Sequence, residues 1–88
     1  MTEGSTPPLS RRVVLVADDE DAIVRMVTTI LSGAGLGAIV VKNGIEGFEK
    51  YRQSREQICL VLSDVVMPNG GGLEMAQKIL DFDPSARI

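Results

Sequence analysis

Two acidic sites, each directly after an apolar run, carry the chemistry this sequence could perform. Asp18-Asp19-Glu20-Asp21 follows Val13-Val14-Leu15-Val16-Ala17, and Asp64 follows Ile58-Cys59-Leu60-Val61-Leu62-Ser63. Carboxylate oxygens suit hard cations, and Mg²⁺ takes octahedral oxygen ligation while keeping several waters. Asp19 and Asp64 are the direct ligand candidates, with Asp18 acting through water. A carboxylate beside a divalent cation can also attack phosphorus to give an aspartyl phosphate. The metal then offsets charge on the transferring phosphoryl group and helps align an in-line attack. Each site alone has a plainer reading. An acidic run at a helix start is a solvated cap favoured by the helix dipole, and a strand-ending Asp commonly caps a turn. The two sites together point to chemistry.

Positioning them requires strands. A short, β-branched, continuously apolar run bounded by polar residues reads as a strand buried on both faces, the signature of a parallel sheet. Strands are predicted at Val13–Ala17, Gly37–Val41 and Ile58–Ser63. A helix over Asp21–Ser32 carries an apolar stripe of Ile23, Val27, Ile30 and Leu31, and Gly33 and Gly35 supply its stop. Asn43-Gly44 reads as a turn, and a second helix covers Ile45–Ser54, weakened by Gly47 by about 1 kcal/mol relative to alanine. A third helix covers Leu73–Leu80, with Leu73, Ala76, Ile79 and Leu80 on one face. Asp83-Pro84-Ser85 is a loop, and Ala86-Arg87-Ile88 resembles the start of another strand. This βαβαβα order implies parallel strands with right-handed crossovers. Ligands in such sheets sit beyond the carboxyl ends of the strands, so Asp18, Asp19 and Asp64 are expected at one rim.

Size and composition narrow the field further. Eighty-eight residues make at most one small domain, near the size at which a single core is only marginally stabilising. A net charge of -3, with no Lys/Arg stripe, argues against a direct nucleic-acid partner. No apolar stretch is long enough to span a bilayer, and residues 1–11, with paired Pro7-Pro8, read as a flexible leader rather than a secretory signal. The lone Cys59 reads as a core thiol in a reducing, cytoplasmic compartment. The absence of histidine removes imidazole metal sites and His-based triads, so any phosphohistidine chemistry must use a partner's histidine.

At this point the residues resemble a family. Val14-Leu15-Val16-Ala17-Asp18-Asp19-Glu20 looks like the first strand and acidic pair of bacterial two-component response-regulator receiver domains. Leu60-Val61-Leu62-Ser63-Asp64-Val65-Val66-Met67-Pro68, followed by Gly72-Leu73-Glu74, is similar to that family's phosphoacceptor strand, loop and third helix. The resemblance covers residues 12–88. It implies an α/β, flavodoxin-like doubly wound parallel sheet, here its first three βα units with strand order 2-1-3. It further implies that Asp64 accepts a phosphoryl group from a phosphohistidine on a sensor histidine kinase or phosphotransfer domain. Asp18 and Asp19 would hold Mg²⁺, with Asp64 and the backbone carbonyl of Val66 completing the protein ligands. Met67-Pro68 and Gly72 would shape the loop into the third helix.

The chain departs from the family where it stops, at the threshold of the fourth strand. The family's hydroxyl residue at the end of that strand and its Lys at the end of the fifth have no counterpart, and neither Lys42 nor Lys78 stands at a matching position. The domain is therefore expected to be truncated, and its apolar third-strand edge to invite self-association. Two other functions stay in view. One is a degenerate receiver serving as an interaction or dimerisation module without phosphotransfer. The other is a Mg²⁺-dependent aspartyl-nucleophile phosphohydrolase, which carries an Asp-x-Asp nucleophile motif at the first strand; here Asp19 is followed by Glu20 and Asp21, and the resemblance places the nucleophile on the third strand instead.

Overall fold

The computed structural model describes residues 11–64 and 71–88. The stretch 1–10, which holds most of the expected leader, and the stretch 65–70, with Val66, Met67 and Pro68, lie outside the described residues. Six elements alternate along the chain: β1 (Val13–Ala17), α1 (Asp21–Gly33), β2 (Gly37–Val41), α2 (Gly44–Ser54), β3 (Ile58–Ser63) and α3 (Gly72–Phe82). The three strands form one parallel sheet in the order β2-β1-β3, as the apolar runs and the family resemblance imply.

The register aligns the strand ends. Ala17 lies opposite Val41 on one side and Ser63 on the other. An irregularity between Val13 and Val14 leaves Cys59 out of the pairing, so Ile58 pairs with Val13 and Leu60 with Val14. Side chains alternate across the pleat. Leu15, Ala17, Val41 and Val61 therefore pack with Tyr51 of α2 and Met75 and Ile79 of α3, whereas Val14 and Val16 pack with Leu31 of α1 on the opposite face. Cys59 and Leu60 are half-buried against that second cluster, so the thiol is a core side chain, as its place in an apolar run predicts.

The helices begin and end for identifiable reasons. α1 closes in a Schellman arrangement: Leu36 N–H donates to Leu31 O at 2.9 Å and Gly35 N–H to Ser32 O at 3.0 Å. Gly35 takes the left-handed conformation that this stop needs, at φ +79°, while Gly33 remains the last helical residue. The pair Asn43-Gly44 is an N-cap rather than a free turn. Asn43 Oδ1 accepts from Glu46 N–H at 2.8 Å, and Gly44 is already helical. α3 starts at Gly72 and runs through Phe82, one residue earlier and two later than the apolar pattern suggested. Its cap residue, Gly71, has no side chain, and Glu74 reaches back to accept from its N–H at 3.4 Å.

The apolar faces differ from expectation at three residues. Leu73 is 71% exposed and Ile30 63% exposed, while Met75 and Ile79 carry the buried side of α3. Leu80 is also exposed. Gly47 is a packing residue rather than a flaw in α2: a Cβ there would stand 2.3 Å from Met75 Sδ. Its missing side chain lets α2 and α3 approach. Ala86–Ile88 forms no strand, yet Arg87 O accepts from Val61 N–H at 2.8 Å. That amide points away from β1, so at Val61 the outer edge of β3, bare by expectation, is met by the chain's own returning segment, while β3 remains the edge strand of the sheet.

Candidate metal and phosphoryl site

Two backbone hydrogen bonds carry the sheet ladder one residue past the strands and thereby place the acids. Asp18 N–H donates to Val41 O at 3.1 Å, and Asp64 N–H donates to Ala17 O at 2.9 Å. Asp18 and Asp64 thus leave neighbouring strands at the same carboxyl-end rim, and Asp19 follows before α1 begins. Each of Asp18, Asp19 and Asp64 offers a carboxylate oxygen within 4.8 Å of the others. Asp18 and Asp64 are half-buried and Asp19 is exposed. All three sequence-predicted carboxylates are therefore brought together, and Val66 lies outside the described residues.

The local turn geometry accounts for part of this order. Asp18 Oδ1 accepts from Glu20 N–H at 2.9 Å, so one oxygen braces the turn into α1 while the carboxylate still reaches the cluster. The cap reading and the ligand reading of Asp18 are thus compatible. Next to it, Lys42 Nζ donates to Asp21 Oδ1 at 2.5 Å, joining the loop after β2 to the start of α1. The hydrogen bond and charge of Lys42 hold the Asp21 carboxyl below its ordinary range. The pair engages the acid that the cluster does not use. Its members were visible in the sequence, but nothing in their spacing announced the contact.

On the β3 side the packing is tighter. Ser63 Oγ donates to Asp64 O at 2.9 Å. A Cβ on Gly72 would lie 2.0 Å from Asp64 O and 2.5 Å from Ser63 Oγ. The first residue of α3 therefore rests directly on the backbone of Asp64, and only glycine allows it. This is the physical reason for a glycine eight residues after the acid.

The donor set fits a hard divalent cation. It consists of carboxylate oxygens gathered where like charges repel, and no thiol or imidazole lies among them. Oxygens around Mg²⁺ at about 2.0–2.1 Å stand at most about 4 Å apart across the ion. A spread within 4.8 Å closes to that with small side-chain rotations or with one ligand acting through water.

Comparison with known proteins agrees with this geometry. The family profile described as the response regulator receiver domain matches residues 14–88. The chain is 34% identical over 76 residues to a chemotaxis protein CheY of Treponema pallidum, covering 85% of this chain and 53% of that one. It superposes on a solved CheX–CheY–BeF₃–Mg²⁺ complex from Borrelia burgdorferi with a TM-score of 0.80 at 31% identity, covering 84% of this chain and 56% of that one. A response regulator protein, TrrA, solved in complex with the histidine kinase ThkA gives a TM-score of 0.77, also at 31% identity, covering 85% and 63%. The chain thus spans between about half and two thirds of the length of these relatives. No helix among the described residues is long and apolar enough to cross a membrane.

Proposed function

This chain belongs to the response regulator receiver domain family of two-component signalling, and from that premise we propose that it accepts a phosphoryl group on Asp64. The observation that carries the reading is the meeting of Asp18, Asp19 and Asp64 at the carboxyl ends of adjacent parallel strands. It acts as a signalling domain rather than as an enzyme turning over a separate substrate. The donor is a phosphohistidine on a partner kinase or phosphotransfer domain, a reading supported by the solved complex of a related regulator with a histidine kinase. A cytoplasmic setting follows from such a partner.

The chain's own residues divide the work. Asp64 presents a carboxylate oxygen that forms the new O–P bond. The P–N bond of the donor breaks, and its electron pair returns to the imidazole nitrogen. Asp19 would hold Mg²⁺ together with Asp64, and Asp18 would do so through water, with the Val66 carbonyl as the ligand that the family resemblance implies. When bound, the cation offsets the charge of the phosphoryl oxygens and the mutual repulsion of the carboxylates. Asp18 also fixes the turn that carries Asp19 into place.

The test is intact mass after incubation with acetyl phosphate and Mg²⁺. One added phosphoryl group is expected on the unaltered chain, labile to hydroxylamine and absent when the cation is chelated. In Asp64→Ala the adduct should vanish. Full incorporation in that variant would overturn the assignment.

A further inference from the structure

We propose that Ser63 is a positioning residue for the phosphoacceptor, acting through its hydroxyl on the main chain of Asp64. The inference deepens the reading of Asp64 as the acceptor and rests on it. Three observations converge on this side chain. Ser63 closes β3 opposite Ala17, and the next amide, that of Asp64, is fixed to Ala17 O at 2.9 Å. The half-buried hydroxyl then donates to the carbonyl of Asp64 at 2.9 Å. It also stands only 2.5 Å from where a side chain on Gly72 would begin, so it fills the space between the strand end and the first turn of α3.

The peptide units on both sides of Asp64 Cα are thereby held. The N–H on one side is tied to β1, and the C=O on the other is tied to Ser63 while Gly72 packs against it. With both held, the Cα–Cβ bond of Asp64 has one direction, toward the rim where Asp18 and Asp19 lie. An acceptor oxygen must meet phosphorus in line at the start of transfer, and small misplacements of a reacting group are costly. The residues earlier in β3 offer only the weak S–H donor of Cys59, which lies five residues before Asp64 and packs against the Val14, Val16 and Leu31 cluster. Deleting the hydroxyl leaves Asp64 on the same strand and at the same rim, but removes the hydrogen bond that Ser63 makes to its carbonyl.

The experiment uses the full chain with acetyl phosphate as donor, at saturating donor and Mg²⁺. In the step measured, the Asp64 carboxylate forms the O–P bond, the P–O bond to the acetyl group breaks, and acetate leaves with the electron pair. Ser63→Ala should slow incorporation by about five- to tenfold, the equivalent of one ordinary hydrogen bond. Ser63→Thr, which keeps the hydroxyl, should restore the rate to within about twofold of the unaltered chain. Denaturant midpoints measured in parallel should leave Ser63→Ala fully folded under assay conditions. A Ser63→Ala rate within twofold of the unaltered chain overturns the proposal. So does a loss that only tracks the unfolded fraction, or a Ser63→Thr variant as slow as Ser63→Ala. Asp64→Ala in the same assay separates the two levels. Labelling of that variant would overturn the acceptor reading itself, whereas an unlabelled Asp64→Ala beside a full-rate Ser63→Ala would overturn the positioning alone.

Discussion

The two ends of the sheet treat carboxylates in opposite ways. At the amino end, Asp83 follows α3 and is only 5% exposed. Its oxygens accept from the Tyr51 hydroxyl at 2.7 Å, Arg55 Nε at 3.1 Å and the Ser85 hydroxyl at 2.8 Å. The Tyr51 bond foremost, then Ser85, holds this acid far below the usual carboxylate range. At the carboxyl end, Asp18, Asp19 and Asp64 are gathered within reach of one another, Asp18 and Asp64 half-buried and Asp19 exposed. A buried charge persists when donors from the fold surround it. Asp83 has them, and it ties α2 to the segment after α3. The acidic cluster instead concentrates like charge, an arrangement that a cation from outside relieves. One end commits its carboxylate to the fold; the other gathers three at one rim, the cation site proposed above.

The contrast can be broken most severely at Gly72, where site and fold meet. Gly72→Ala puts a carbon 2.0 Å from Asp64 O, against backbone rather than a yielding side-chain end. It should cost about 3 kcal/mol in denaturant unfolding, the upper part of the range for overpacking, and should also depress phosphoryl incorporation. Equal stability in Gly72→Ala and the unaltered chain would show that α3 does not rest on the acceptor strand.

Tyr51→Phe sharpens the comparison from the other end. Losing the donor to buried Asp83 should destabilise the chain by about 1–2 kcal/mol, while the phosphorylation rate of the folded protein stays unchanged. A slowed rate at full folding would mean that the two ends are coupled. The same bond predicts an alkaline transition. Burial first, and then the Asp83 hydrogen bond, push the Tyr51 phenol up to about 12 from 10.0. The fold therefore favours the neutral phenol, and that contribution is complete below pH 10 and disappears as the pH rises through about 12. Asp83 works in the opposite direction: its contribution is present above the ordinary value of 3.8 and is lost as the pH falls below it. Unfolding free energy followed across both windows should lose its alkaline step in Tyr51→Phe.

The smallest effect is expected in the cluster. Asp19→Asn removes one member of a like-charge group, and each repulsion at nearly 5 Å is worth about 1 kcal/mol in water. Without divalent cation the variant should be slightly more stable than the unaltered chain, and added Mg²⁺ should stabilise it less. A destabilised Asp19→Asn would place that carboxylate among the fold's own supports, beside Asp83.

The sheet was legible in the sequence because apolar β-branched runs bounded by polar residues have few other fates. The three strands Val13–Ala17, Gly37–Val41 and Ile58–Ser63 stand where the runs predicted them. The acids after β1 and β3 follow from the same logic, since parallel strands share one carboxyl rim. Helix faces were less legible. Leu73 and Ile30 fit an apolar stripe as well as Met75 does, but the stripe cannot say which side the sheet occupies. Gly47 shows the same limit: propensity marks it as a weakness, and only the approach of Met75 reveals its use.

What the sequence determined by itself was local or periodic: the alternation of elements, the acids after the first and third strands, and the resemblance carried by Asp18-Asp19-Glu20 and Asp64 with Met67-Pro68. Tertiary structure decided which distant groups touch. Tyr51 meets Asp83 across 32 residues, Lys42 meets Asp21 across 21, and Gly72 meets the backbone of Asp64. Such contacts depend on strand register, helix rotation and close packing. Those are set by the whole core at once, and no single segment of the chain records them.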